Sequence, residues 1–362
     1  MTTWSVVKDD SGEKQRWTLL PRIALLACLA LVVVGLGVAV RPGSPAGPAE
    51  PPFSEQARSA ALAETLRLRD AGGQLESTGP DDAKPATARL VSLLTSQARA
   101  LLLPGQDEPA PASTAPADSP AASVAPAAPL PTTGAALAAA LADSAAQRLA
   151  DAAVADGGMA RLLTAVGTAQ LLQASSLAAA TGAPAPAVPD PAAPTLSGTC
   201  PGAAAPPSSP ASAGAAALPG ALAAAVRMEL EAVYGYQVAR TRLSGDAAAR
   251  ASEQLGRHET LAAEAEALSR IHCAPVPPRQ PGYAMEPAFL AAPAASLGGL
   301  EASSLPVYGD LVALSEGQTR QWAIAGLVGS ARRAAVWGAE TGSLPGLAAD
   351  PAGFPELPVP NP

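Results

Sequence analysis

The stretch Ala221–Leu243, ALAAAVRMELEAVYGYQVARTRL, puts the tightest condition on how this chain folds. It has no proline and no β-branched run, and it is long enough for about six helical turns. Leu222, Val226, Val233 and Tyr236 recur at spacings of three and four and share one helix face. Glu229 falls inside that stripe. A carboxylate on the apolar face of a core helix is costly unless it is paired or coordinated. What answers Glu229 is therefore the main functional question.

The sequence after it reads as three more helices. Ser244-Gly245 ends the first, and Asp246 is a good N-cap for a second running to about Ile271. So short a connection makes the two antiparallel. On the second helix Leu255, His258, Leu261, Ala265 and Leu268 are in register, which puts His258 on the apolar stripe. A Pro-rich crossing, Ala274–Pro293, is long enough to run the length of a bundle. The third helix, about Ala294–Ser315, aligns Leu297, Glu301, Leu305, Tyr308 and Val312, and Pro306 is expected to kink or split it. The fourth runs from about Gly317 to Gly338, with Ile324, Leu327, Val328, Ala331, Ala335 and Val336 as its apolar face.

The first half of the chain is different in kind. Residues 1–22 are polar and carry Lys8, Lys14, Arg16 and Arg22. Residues 23–40, IALLACLALVVVGLGVAV, are unbroken apolar sequence, roughly 27 Å long as a helix and close to the thickness of a bilayer core. The basic residues before this run place the N-terminus in the cytoplasm and everything after Arg41 outside, as a single-pass cell-membrane protein. A cleaved secretory signal and a lipoprotein box at Cys28 are the competing readings of the same run. Residues 41–182 are Ala/Pro-rich, with helices expected at 53–71, 85–103, 132–155 and 159–180. These helices are read as loosely packed and as separated by a disordered linker, 104–131. A second linker, 183–215, leads to the four-helix module at 216–340, and 341–362 is a Pro-rich tail expected to lack structure.

Composition narrows the partners. Of the 362 residues, 48% are apolar but only 3% are aromatic, so any core is thin. The net charge is −8, and no basic patch is interleaved with aromatics, which argues against nucleic acid.

Several motifs of the C-terminal module are familiar as an ordered set. Glu229-Leu230-Glu231-Ala232-Val233-Tyr234-Gly235-Tyr236 resembles the opening helix of a ferritin-like domain family of unknown function, found in bacterial membrane-anchored and lipidated envelope proteins. So do His258, the crossover Cys273-Ala274-Pro275-Val276-Pro277-Pro278 leading to Tyr283, and Leu300-Glu301. Ala331-Arg332-Arg333-Ala334-Ala335-Val336-Trp337 is similar to the family's closing helix. The resemblance implies an all-α ferritin-like four-helix bundle with a long crossover, and it implies no activity.

Ferritin-like di-metal sites take a Glu from each of two helices and Glu-x-x-His from each of the other two. Glu229, His258 and Glu301 supply at most three of about six ligands, because Leu255 stands three before His258 and the fourth helix has no histidine. A single iron or manganese ion on those three residues is one reading. The favoured reading is a buried polar network without an ion, in which the carboxylates meet His258 and a hydroxyl from Tyr234, Tyr236 or Tyr308. His272 reads as a favourable group at a helix C-terminus. Cys200 and Cys273 both fall on the outer side and are expected to pair. With only two histidines there is no nucleophile–base–acid set, no phosphate-binding Gly loop and no CxxC. The function expected is that of a non-catalytic, membrane-anchored extracytoplasmic protein that binds a protein or envelope component; the alternative is a metal-binding ferritin-like protein.

Overall fold

A computed structural model of the chain describes residues 50–81, 83–102, 129–186, 191–200, 213–347 and 350–358. The basic segment 1–22, the apolar run 23–40 with Cys28, and nearly all of 104–131 lie outside these residues. The described residues form nine α-helices, a short 3-10 turn and no strand. They are α1 (Phe53–Thr78), α2 (Lys84–Leu101), α3 (Gly134–Val154), α4 (Gly157–Ala180), α5 (Ala213–Arg240), α6 (Gly245–Ile271), α7 (Pro287–Ala291), α8 (Pro293–Leu314) and α9 (Gly317–Val336).

Short loops make four hairpins: α1 with α2, α3 with α4, α5 with α6, and α8 with α9. Two helix starts carry side-chain caps, whereas Asp246 does not cap α6 as the sequence suggested: that helix begins at Gly245 after Ser244, and Asp246 lies in its first turn, where a carboxylate still favours the helix N-terminus. Thr133 caps α3 by accepting from the Ala136 amide at 3.1 Å, and Asp156 caps α4 by accepting from Met159 at 3.3 Å. Helix α8 packs on α5, α9, α4 and the short α7. Glu229 of α5 meets Tyr308 of α8, and Tyr236 meets Glu301, so α5 and α8 run antiparallel. Since α6 is also antiparallel to α5, α6 and α8 point the same way. The segment from His272 to Ala292 must therefore travel the length of the helices.

Four further expectations from the sequence need correction. Helix α1 does not stop at Gly72 but runs through both glycines to Thr78, and the missing Gly72 side chain lets Val91 of α2 come close. Helix α8 is continuous across Pro306, so the proline does not split it. Ala335 and Val336 are exposed rather than part of the α9 stripe. The segment after α9 is tied down as far as residue 356. Arg161 of α4 donates to the Gly346 carbonyl from Nε (2.9 Å) and Nη2 (2.7 Å). Arg99 of α2 donates to the carbonyls of Phe354 (2.7 Å) and Pro355 (2.9 Å) and pairs with Glu356. Gly309 makes room for this crossing, since a Cβ there would stand 2.4 Å from the Gly346 carbonyl oxygen.

The Ala-rich hairpins are not loose. The described residues from Pro52 onward form one compact unit, and a single apolar cluster links Ala57, Leu101, Leu163 and Val166 to Leu222, Leu268, Leu305, Trp322, Leu327 and Leu344. Alanine buries little area, but it lets helices approach closely, and dispersion contacts then accumulate along Ala138, Ala142, Ala145 and Ala152 of α3 against α4. Arg320 of α9 joins the two halves. It is 4% exposed and donates to the carbonyls of Ser315 (2.7 Å) and Ala155 (2.5 Å). By length and composition α4 is the one described helix apolar enough to cross a membrane, but 67% of its apolar window is buried, as in a core helix.

Cys200 and Cys273 form a disulfide with Cα atoms 5.1 Å apart. It ties the segment 191–200 to the end of α6, and closing this 73-residue separation contributes about 4 kcal/mol. Cys273 takes a left-handed φ of 55° just past the helix, where the Ala274 amide reaches back to the Ser269 carbonyl at 2.8 Å.

Candidate functional site

Each of the three acid and imidazole residues singled out in the sequence comes from a different helix, and all three are fully buried. His258 of α6 stands between the two carboxylates. Its Nδ1 is 2.7 Å from Glu229 Oε2 of α5, and its Nε2 is 2.8 Å from Glu301 Oε1 of α8. Carboxylate oxygens only accept, so both ring nitrogens donate and the imidazole is a cation. Burial alone would lower the His258 pKa, but the hydrogen bonds and charges of Glu229 and Glu301 outweigh it and the pKa is raised.

Two tyrosines complete the inner ring. Tyr308 donates its hydroxyl to Glu229 Oε1. Tyr236 lies 2.7 Å from Glu301 Oε1 and 2.8 Å from Gln254 Oε1, and its one proton goes to the charged acceptor. Its ring stacks on His258 with centroids 4.9 Å apart, a favourable face for an imidazolium. Burial raises the pKa of both tyrosines, and the carboxylate beside each raises it further. Tyr308 reaches Glu229 only because α9 has a glycine beneath it: a Cβ on Gly326 would stand 2.1 Å from the ring. Tyr234 is not in the network. It is half-buried and packs on Tyr283, with centroids 5.6 Å apart.

Arg333 of α9, Gln254 and Trp337 also belong to the cluster, and sequence reasoning gave none of them a role. Arg333 donates from Nε to Glu301 Oε1 at 2.8 Å and from Nη2 to Ser330 at 2.8 Å. Trp337 donates to Gln254 Oε1 at 2.6 Å and lies 3.0 Å from the Tyr236 hydroxyl. Two carboxylates thus face one imidazolium and one guanidinium, and the formal charges cancel inside the core. Burial would raise the Glu301 pKa. The hydrogen bond from His258 and the charge of Arg333 overcome it and hold the carboxyl at about 2. Glu301 in turn raises the pKa of Arg333 against its own burial.

This geometry does not suit a metal. Both His258 nitrogens are committed to carboxylates, whereas a ligating imidazole needs one free for the ion. The Arg333 guanidinium sits on the Glu301 oxygen that an ion would share. Among the described residues no three His, Cys, Asp or Glu side chains converge as a metal site. One atom of the cluster, Glu301 Oε2, is buried without a partner, and a single oxygen is no coordination sphere. His272 also differs from its expected role. Burial lowers its pKa, and its Nε2 lies 2.8 Å from Thr319 Oγ1, so it joins α6 to α9 as a neutral group.

The buried cluster coincides with the part of the chain that has a recognisable counterpart. A family described as a domain of unknown function (DUF4439) matches residues 221–349, which hold every member of the cluster. No curated protein matches the chain, and no solved structure does. The match reaches from the third turn of α5 past the tail segment held by Arg161, and so spans the four helices that supply the buried cluster in this chain.

Proposed function

We propose that the chain is a non-catalytic, membrane-anchored extracytoplasmic protein whose C-terminal helices form a ferritin-like bundle with its metal position given over to a buried ion network. The order of helix directions supports the ferritin-like reading. Helices α5 and α6 are antiparallel, α6 and α8 are parallel, and a long crossover joins the two hairpins. The apolar run 23–40 and the Cys200–Cys273 disulfide support the anchored, outward placement, since disulfides persist outside the reducing cytoplasm. In this reading the protein's work is binding, to a protein or another component of the envelope.

The observation that carries the proposal is His258 bonded through both ring nitrogens while Arg333 neutralises Glu301. Such a cluster leaves neither nitrogen of His258 free to act as a base or to ligate an ion. It fixes the register of four helices. The test is metal analysis of the full chain purified without chelators, together with protease treatment of intact cells that express it. Substoichiometric iron and manganese, with the C-terminal part cleaved from outside, is the expected outcome. One bound equivalent of either metal, lost on His258→Ala, would overturn the network reading. Protection of the C-terminal part in intact cells would overturn the topology.

A further inference from the structure

Residues 191–200 have neither helix nor strand, and among the described residues none of their backbone groups bonds another backbone group. Side chains and one covalent bond hold them in place. Gln318 of α9 brackets Ser197, accepting from its amide at 3.0 Å and donating to its carbonyl at 2.6 Å. Leu196 packs on the apolar core and is half-buried, whereas Ser197, Gly198, Thr199 and Cys200 are exposed. Cys200 is bonded to Cys273.

The two ends of this disulfide differ. Cys273 sits on a helix cap that closes without it. Its own amide donates to the Arg270 carbonyl at 3.2 Å, the Ala274 amide donates to the Ser269 carbonyl at 2.8 Å, and His272 meets Thr319 of α9 at 2.8 Å. Cys200 lies on a segment with no such frame. Both cysteines are exposed, so a thiolate from outside reaches the bond. Farther back the segment is a wall. Pro191, Ala192 and Ala193 stand with Leu261 of α6 and Gly326 and Gly329 of α9 around a cavity of about 470 Å³. Helices α6 and α9 each pack on a hairpin partner and not closely on one another, which leaves the seam that the segment borders.

From this arrangement we infer that the Cys200–Cys273 disulfide is a redox latch: a dithiol reductant opens it, the segment 191–200 leaves α6 and α9, and the cavity between those helices loses a wall. A thiolate of the reductant attacks one sulfur and the other sulfur leaves; the second thiol of the reductant then displaces the first. The reductant ends as a disulfide, its two protons end on Cys200 and Cys273, and two electrons have passed. Once the tether is gone, the segment keeps the Gln318 bonds and part of the Leu196 contact. Those bonds lie at the surface, where water competes for them, and do not replace a covalent tie. The helices stay, because the α6 cap and its contact with Thr319 use no atom of the segment. The inference needs the disulfide and the folded chain, and does not depend on the metal or topology readings above.

Thermolysin digestion of the full chain in non-ionic detergent tests it, with cleavage before Leu196 followed by mass spectrometry. One sample is reduced with dithiothreitol in the absence of denaturant, capped with iodoacetamide and freed of both reagents; the other is capped without reduction. Cleavage at Leu196 is expected to be about tenfold faster in the reduced sample, with α6 and α9 uncut and the helical circular dichroism unchanged. The double variant Cys200→Ser with Cys273→Ser should match the reduced sample with no reagent added. Gln318→Leu in the oxidised chain should be cut no more than about twofold faster, because the latch still holds. A disulfide that reduces only in denaturant, equal cleavage before and after reduction, or an oxidised Gln318→Leu chain cut as fast as the reduced one would overturn the inference. So would loss of helix on reduction, which would make the bond a staple of the whole fold.

Discussion

The two halves of the helical unit each bury a polar cluster, and they do it by opposite means. In the C-terminal half, Glu229, His258, Glu301 and Arg333 set two negative charges against two positive ones. In the N-terminal half the buried groups are mostly neutral. Gln170 donates to Gln97 at 3.1 Å, and Gln97 donates to the Ser343 carbonyl at 3.1 Å. Gln170 Oε1 and Thr168 Oγ1 are left with no partner. An unmet neutral acceptor costs about 1–3 kcal/mol and is tolerated, whereas an unmet buried charge costs more. Each cluster nonetheless keeps an unmet atom, Glu301 Oε2 in the charged one and Gln170 Oε1 in the neutral one, and the buried Arg148 of α3 leaves Nε and Nη1 unmet beside its pairing with Asp151.

The widest gap between the clusters should appear on removing a charge. His258→Leu strands both carboxylates and is expected to lower unfolding stability by roughly 3–5 kcal/mol, read as a shift of the urea midpoint. A loss below about 1 kcal/mol would mean that the charges are not balanced as described.

Next in size is the dependence on pH, which only the charged cluster should show. The Glu301 pKa is depressed to about 2, so its contribution, roughly 3 kcal/mol, is complete above the unfolded carboxyl range and is lost as pH falls toward 2. The His258 pKa is raised, so its contribution is complete below the unfolded imidazole value and is lost as pH rises through the folded value. Urea midpoints across pH should fall on both sides of an optimum, and Arg333→Gln should blunt the acid limb.

Gly326→Ala comes third. The new methyl overlaps the Tyr308 ring and is expected to cost about 2 kcal/mol in thermal or urea unfolding while leaving every charge in place. Smallest is the double change Gln97→Leu with Gln170→Leu. Removing both partners of a neutral pair should move stability by no more than about 1 kcal/mol, with no change in the pH profile. A larger loss would put the neutral cluster on the same footing as the charged one.

Periodicity made much of this arrangement legible. Glu229, His258 and Glu301 each lie on an apolar stripe, and a stripe tells which face turns inward. Tyr236 and Tyr308 share those stripes, and both reach the carboxylates. Tyr234 lies two residues from Tyr236 and thus on another face, which is why it meets Tyr283 instead. Arg333 stayed hidden for a related reason. It flanks the α9 stripe, where an arginine ordinarily faces water, and its long stem carries the guanidinium inward. The packing of the Ala-rich hairpins was also hard to read, because alanine marks no face strongly. Nor does sequence period announce a backbone carbonyl as a partner, and Arg99, Arg161 and Arg320 all bind carbonyls.

The Arg320 staple bears on modularity. The stretch that resembles a known family begins at residue 221, yet Arg320 within it is satisfied by the Ala155 carbonyl, which lies outside. Excising 221–349 would leave that guanidinium short of an acceptor and uncover the α8 surface that α4 protects. The boundary of the family match therefore cuts across a buried contact, and a fragment made to that boundary is expected to unfold at lower urea than the same helices in the full chain.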